Sequence, residues 1–254
     1  MTSNPAAPPL PLEHSRFAVV DVETTGGRAQ RGGRILEVAV AILEAGTVHL
    51  GFTSLLDPGT PIPAWVVRLT GITDAMVAGR PRFVDVVPGL GHALDAGVFV
   101  AHNARFDWRF LEAECTAAGV PPLPPLSPGG KPLCTVRLTR RLVPELRRRG
   151  LDQVAAFFGI ENPARHRAFG DALATAYVLR ALLGRACERG VETLEQLIEL
   201  HDRPRHRKTR NAEVGTRNHE TRKCELGTRN SPASVVQPAI FRCCSDFRVP
   251  HSEF

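Results

Sequence analysis

Phe17-Ala18-Val19-Val20-Asp21-Val22-Glu23-Thr24-Thr25-Gly26-Gly27 is a short apolar run that ends abruptly in acids, hydroxyls and glycines. Phe17 to Val20 has the length and composition of a strand buried on both faces. If the extended geometry continues through Val22, side chains two apart point the same way, and Asp21 and Glu23 aim at one point in space. Thr24, Thr25 and the two glycines then break the strand, and glycine there permits close backbone approach to a ligand. Alone, two acids at a strand end are more often solvated than functional. A buried strand with a polar carboxyl end is, however, where open α/β sheets place their ligands.

Working outward, Ile35 to Leu43 and Val48 to Ser54 read as two further strands joined by a hairpin turn at Glu44-Ala45-Gly46-Thr47. A helical passage from Phe83 to Leu94, interrupted by Pro88, leads to a fourth strand, Val98 to Ala101. His102 and Asn103 follow, as loop polar groups or as site residues, and then a helix from Arg105 to Ala118 that puts Asp107 in its first turn. A proline-rich loop from Pro121 to Pro132 precedes a fifth strand near Leu133. A later helix runs from about Ala168 into Leu183, with Asp171 near its start. His166 stands five positions earlier, which on a helix would be about 140° around the axis, so it belongs to a mobile segment from Glu161 to Arg167. Imidazole ordinarily titrates near neutrality, which suits a general base. Leu194 to Leu200 suggests a last helix, closing the domain near His201. The sum is an α/β domain with a mixed five-stranded sheet flanked by helices.

Four weak signals thus occur in order, each at a strand end or helix start, with complementary chemistry: Asp21 and Glu23, then His102 to Asp107, then His166, then Asp171. In this pattern the chain resembles the DEDDh 3′-5′ exonucleases of the ribonuclease H-like superfamily, which include the proofreading epsilon subunit of DNA polymerase III and ribonuclease T. Supporting matches are Leu69-Thr70-Gly71-Ile72-Thr73 and Leu133-Cys134-Thr135-Val136-Arg137-Leu138, and the likeness covers roughly residues 16 to 183. The resemblance implies that Asp21, Glu23, Asp107 and Asp171 hold two Mg²⁺ or Mn²⁺ ions and that His166 deprotonates the attacking water. It implies release of nucleoside 5′-monophosphates from a single-stranded DNA 3′ end, with RNA as the alternative substrate. Val22, Thr24, Thr25, Gly26, Leu69 and Thr70 would border the terminal nucleotide, and His102, Asn103 and Phe106 would line the opposite wall. Residues 64 to 69 would form one side of that pocket. A DNA polymerase catalytic subunit is the partner that proofreading would require. A non-catalytic polymerase-associated module is a third reading, which the intact set of four acids and His166 argues against.

Composition adds boundaries rather than chemistry. The formal charge is +6, yet 11 of the 32 basic and six of the 26 acidic residues lie in residues 201–254, leaving residues 1–200 with a net charge of +1. Basicity therefore says little about substrate, and local patches matter more. One is Arg137, Arg140, Arg141 and Arg147 to Arg149, which reads as a solvated helix face or a phosphate track; the other is Arg28, Arg31 and Arg34 beside the Asp21 strand. Cys115, Cys134 and Cys187 have no metal or disulfide spacing and read as small buried hydrophobes in a reducing compartment. No stretch is long enough to span a bilayer, and a cytoplasmic enzyme is the simplest reading. Residues 1–15 read as a disordered Pro/Ala-rich arm, 16–201 as the domain, and 202–254 as a low-complexity basic tail in which Thr-Arg-Asn recurs at 209–211, 216–218 and 228–230.

Overall fold

The central strand of the sheet is the one quoted first. In the computed structural model, which describes residues 10–95, 97–123 and 130–204, β1 (Phe17–Thr24) lies between β2 (Ile35–Glu44) and β4 (Val98–Ala101), with β3 (Thr47–Leu55) and β5 (Leu133–Cys134) outside them. β1, β2 and β3 pair antiparallel, whereas β4 and β5 run parallel to β1. The sheet is mixed, five-stranded and flanked by helices, as expected.

Strand alternation sorts the sheet's side chains onto two cores. Phe17, Val19, Ala39, Ala41 and Leu43 face one layer, built from α5 (Thr135–Leu142), α6 (Leu151–Phe157) and α7 (Ala168–Cys187). Ala18, Val20, Val22, Val38 and Val40 face the other, built from α3 (Phe83–Leu94) and α4 (Arg105–Ala118). In the first layer Ala39 and Ala41 share a packed cluster with Ala168, Ala172 and Ala176, and α7 packs on β1 and β2, where small side chains permit a close approach. Short helices α1 (Ala64–Thr70) and α2 (Asp74–Val77) pack with Leu36 in a smaller third cluster, and α8 (Leu194–Asp202) closes the domain.

Several expectations are corrected. α3 is not interrupted at Pro88: Pro88 and Val84, one turn earlier, are both exposed, so water reaches the carbonyl that proline leaves unserved. Residues 10–15 belong to the domain, because Leu12 is buried, its N–H donates to the Glu192 carbonyl, and the Leu194 N–H donates to the Leu10 carbonyl. The arginine run 137–149 is not one helix face, since α5 ends at Leu142 and Arg147 to Arg149 lie in the loop before α6. Of the three cysteines among the described residues only Cys115 is buried, Cys134 being half-buried and Cys187 exposed. Among the described residues no helix is long and apolar enough to cross a membrane. Contacts divide the chain after Arg203, and the Thr-Arg-Asn copies lie outside the described residues.

Candidate active site

Asp21 and Glu23 continue the face of β1 that carries Phe17 and Val19, so both carboxylates emerge where α7 crosses the sheet. Asp171, in the first turn of α7, meets them there, and one carboxylate oxygen from each of the three lies within 4.8 Å of the other two. Asp107 arrives from the opposite layer, in the first turn of α4, and is 3% exposed. β4 pairs with β1 only as far as Val19, and beyond that point Asp107 accepts hydrogen bonds from the Val22 N–H and from its own N–H. It stands outside the three-carboxylate set but close enough to act on Asp21. The four acids expected at the metal site are therefore neighbours at the carboxyl end of β1.

Their titration shows how poorly the protein alone tolerates this charge. Burial, then Asp107, Asp171, Glu23 and Glu37 in turn, hold Asp21 well above the usual carboxylate range. Glu23 is pushed up to about 8 by burial and by Asp171, Glu37 and Asp107, with Arg167 opposing. Burial raises Asp107 to about 7 against its two N–H donors. Asp171 is raised by burial despite a hydrogen bond from Asn162. A nest of hard oxygen donors with too little positive charge beside it fits a divalent cation of the Mg²⁺ or Mn²⁺ kind.

His166 lies on the turn before α7 in the left-handed backbone region, at φ 58°, and its N–H donates to Asp171. The segment expected to be mobile is tied to the site at several points. Asn162 Nδ2 donates to Asp171 Oδ1 at 2.5 Å, the Ala164 N–H donates to Asn162 Oδ1 at 3.2 Å, and Arg165 pairs with Asp152. Ala164 folds back so closely on α7 that a Cβ at Gly170 would sit 2.2 Å from its carbonyl oxygen.

The expected substrate residues divide into two groups. Thr25 and Gly26 line a cleft of about 490 Å³ between the glycine-rich turn and the segment before α1, and Asn103 and Phe106 line a second of about 430 Å³ between that turn and α4. Gly27 and Arg28 face both clefts. Thr24 spends its hydroxyl on the Gly26 carbonyl, Val22 is buried in the core, and Leu69 is 48% exposed on α1. His102 and Thr70 do not fit the role expected of them. His102 Nε2 donates to the Arg149 carbonyl at 3.0 Å, leaving Nδ1 to accept from Thr135 Oγ1 at 2.8 Å. Thr70 Oγ1 is buried, donates to the Val66 carbonyl and accepts from the Ile72 N–H. Both are internal cross-links with no polar atom to spare.

Sequence reasoning passed over Glu37 and Glu114. Glu37 interrupts the apolar stretch Ile35 to Leu43, and a charge inside a strand buried on both faces requires a partner, which was the available signal. Of the clustered arginines, Arg34 is engaged by Glu114, whereas Arg28, Arg31, Arg105 and Arg109 are exposed and make no ion pair or side-chain hydrogen bond among the described residues.

The chain is similar to known proteins. The sequence model of the RNase_T family, described as an exonuclease, matches residues 18–179. The chain is 38% identical over 198 residues to a putative bifunctional exonuclease/endonuclease protein of Mycobacterium tuberculosis and 32% identical over 189 residues to the 3′-5′ exonuclease DinG of Bacillus subtilis. Each match covers 74% of this chain but only 30% and 20% of those longer proteins. The structure of exonuclease X in complex with 5′ overhanging duplex DNA superimposes with a TM-score of 0.57 at 28% identity, covering 73% of this chain and 99% of that one.

Proposed function

The chain belongs to the RNase_T exonuclease family, within the DEDDh 3′-5′ exonucleases, and on that premise we propose that it removes nucleotides from the 3′ end of DNA. The observation that carries the reading is the convergence of Asp21, Glu23 and Asp171 on one point, with Asp107 and the His166 loop beside it. Water attacks the terminal phosphorus, the bond from phosphorus to the 3′ oxygen of the preceding nucleotide breaks, and a nucleoside 5′-monophosphate leaves. His166 accepts the proton of that water from the α7 side of the cluster. Two divalent cations held by the four carboxylates would supply Lewis acidity at the phosphoryl oxygens and the leaving 3′ oxygen.

The clefts support a polynucleotide rather than a small phosphate ester. Their walls carry the backbone of the glycine-rich turn, the Phe106 ring and Arg28, Arg31, Arg105 and Arg109, unpaired among the described residues, which suits a strand whose phosphates need charge and whose bases need a flat apolar surface. DNA is favoured over RNA by the likeness to exonuclease X, solved with DNA. The test is digestion of 3′- and 5′-labelled DNA and RNA with Mg²⁺, Mn²⁺ or chelator, beside Asp21→Ala and His166→Ala. We expect stepwise loss from the 3′ end of DNA, none with chelator or in Asp21→Ala. His166→Ala should lose roughly 10² to 10⁴ in rate, partly restored at higher pH. Chelator-resistant cleavage, or full activity in Asp21→Ala, refutes the assignment; faster loss of RNA than of DNA overturns the substrate.

A further inference from the structure

Two buried glutamates make the same three hydrogen bonds on either side of the acidic cluster. Glu37, paired across the sheet with Glu23, is 3% exposed and accepts from Arg167 Nε at 3.0 Å, Arg167 Nη2 at 2.7 Å and the Ala168 N–H at 2.8 Å. Glu114, on α4, is equally buried at 3% and accepts from Arg34 Nε at 2.8 Å, Arg34 Nη2 at 2.8 Å and the Ile35 N–H at 3.0 Å. In both, one carboxylate grips an arginine fork and the amide of the next residue, so backbone and side chain are fixed together. Both arginines also stand where a loop at the site gives way to a regular element. Arg167 separates His166 from α7, and Arg34 separates the glycine-rich turn from β2.

We propose that Glu37 and Glu114 are positioning residues with different tasks: the Glu37–Arg167 clamp sets the His166 loop and Asp171 against Asp21 and Glu23, and the Glu114–Arg34 clamp sets the glycine-rich turn against α4. The inference rests on the exonuclease reading of the site. Mere adhesion would not call for charge here, because apolar packing holds elements together without the cost of burying an ion pair. What the bidentate pair adds is direction.

At the first clamp, Glu37 lies on β2 directly across from Glu23, on the same face of the sheet as Asp21 and Glu23, and would be a fifth carboxylate in the cluster. Three donors occupy it and turn it toward Arg167 and the start of α7. At the second, the turn is bonded back on itself, the Thr25 N–H donating to the Arg34 carbonyl and the Arg34 N–H to Thr25 Oγ1. Gly33 packs there on Phe110 of α4, where a Cβ would sit 3.0 Å from the ring. The Arg34 clamp therefore fixes the wall shared by the two clefts, while the Arg167 clamp fixes the reacting groups.

The two tasks separate kinetically in the full chain. Measurements are kcat and KM on a single-stranded DNA 3′ end, Mn²⁺ affinity by calorimetry without DNA, and Tm. Glu37→Gln should lower kcat about 10- to 100-fold with KM within about twofold, because reacting groups move while the strand still binds, and it should weaken Mn²⁺ binding. Glu114→Gln should raise KM about tenfold with kcat within about threefold and Mn²⁺ affinity unchanged. Arg167→Gln alone should be worse than Glu37→Gln with Arg167→Gln together, since only the single variant leaves a buried carboxylate unpaired. If Arg167→Gln does not fold, Glu37→Asp, which withdraws the carboxylate by one methylene, carries the same kcat test. Equal kcat losses in Glu37→Gln and Glu114→Gln that track their losses in Tm would make both clamps merely structural and overturn the proposal, as would unchanged kinetics in Glu37→Gln. A wild type that binds Mn²⁺ but cleaves no polynucleotide defeats the exonuclease reading instead, and the Mn²⁺ arm still decides Glu37.

Discussion

Glu23 is held up to about 8 and Asp107 up to about 7, with burial the first cause in each and nearby acids adding to it at Glu23. In the absence of metal the folded state therefore binds protons that the unfolded chain has released, between the ordinary 4.5 of Glu23 and about 8. A raised folded value contributes stability that is full below the unfolded value and is lost as pH rises through the folded one. The metal-free protein should accordingly melt at lower temperature at pH 9 than at pH 5. Mg²⁺ or Mn²⁺ should restore more of the Tm at pH 9, where protons no longer compete for the carboxylates. Asp21→Asn, which removes one of the crowded charges, should flatten both trends. A metal-free Tm that rises from pH 5 to pH 9 would contradict this account, and thermal scans across the range with and without metal decide it.

α7 is the element on which the site hangs, because the row Ala168, Ala172 and Ala176 lets it lie close on the sheet and so delivers Asp171 to Asp21 and Glu23. Gly170 serves the same end by leaving room for the Ala164 carbonyl. Gly170→Ala should therefore push the His166 loop away from α7, lowering kcat at least tenfold in steady-state assays, while Tm falls by roughly 2 to 12 °C, as expected for a strain of about 1 to 3 kcal/mol. Retained kcat would show that the loop does not depend on this close approach. Much of this element level was legible in advance. The bounds of α4 were read as found, Arg105 to Ala118, and β1, β2, β4 and the start of α7 followed from apolar runs and first-turn acids. α5 was not delimited and α6 was not read at all, because the arginines from 137 to 149 mask where the first helix stops and the second is only seven residues long. His102 and Thr70 were misread for a different reason. Sequence neighbourhood placed them at the site, but the bond from His102 to Arg149 spans 47 positions and no local pattern announces it. Glu37 differs, since its charge inside a buried strand called for a partner, but nothing in the sequence named that partner, which lies 130 positions downstream.

Over the whole molecule, charge is arranged rather than abundant. Residues 1–200 are nearly neutral, yet Arg28, Arg31, Arg105 and Arg109 converge on the two clefts without partners among the described residues. Arg28→Ala with Arg109→Ala should weaken single-stranded DNA binding and make the slope of log affinity against log salt shallower by roughly 1 to 1.5, as loss of two phosphate contacts requires. Ending the chain after Arg203, where contacts divide it, should change neither that slope nor kcat. A shallower slope in the shortened chain would assign phosphate binding to the tail. The two-layer construction has a consequence for how activity first arises. Asp171 is carried by the helices packed on one face of the sheet and Asp107 by those packed on the other, so the four acids assemble only after both cores have formed around β1. A half-folded chain, with one layer docked, holds an incomplete cluster, so completion of the site waits on the docking of the second layer.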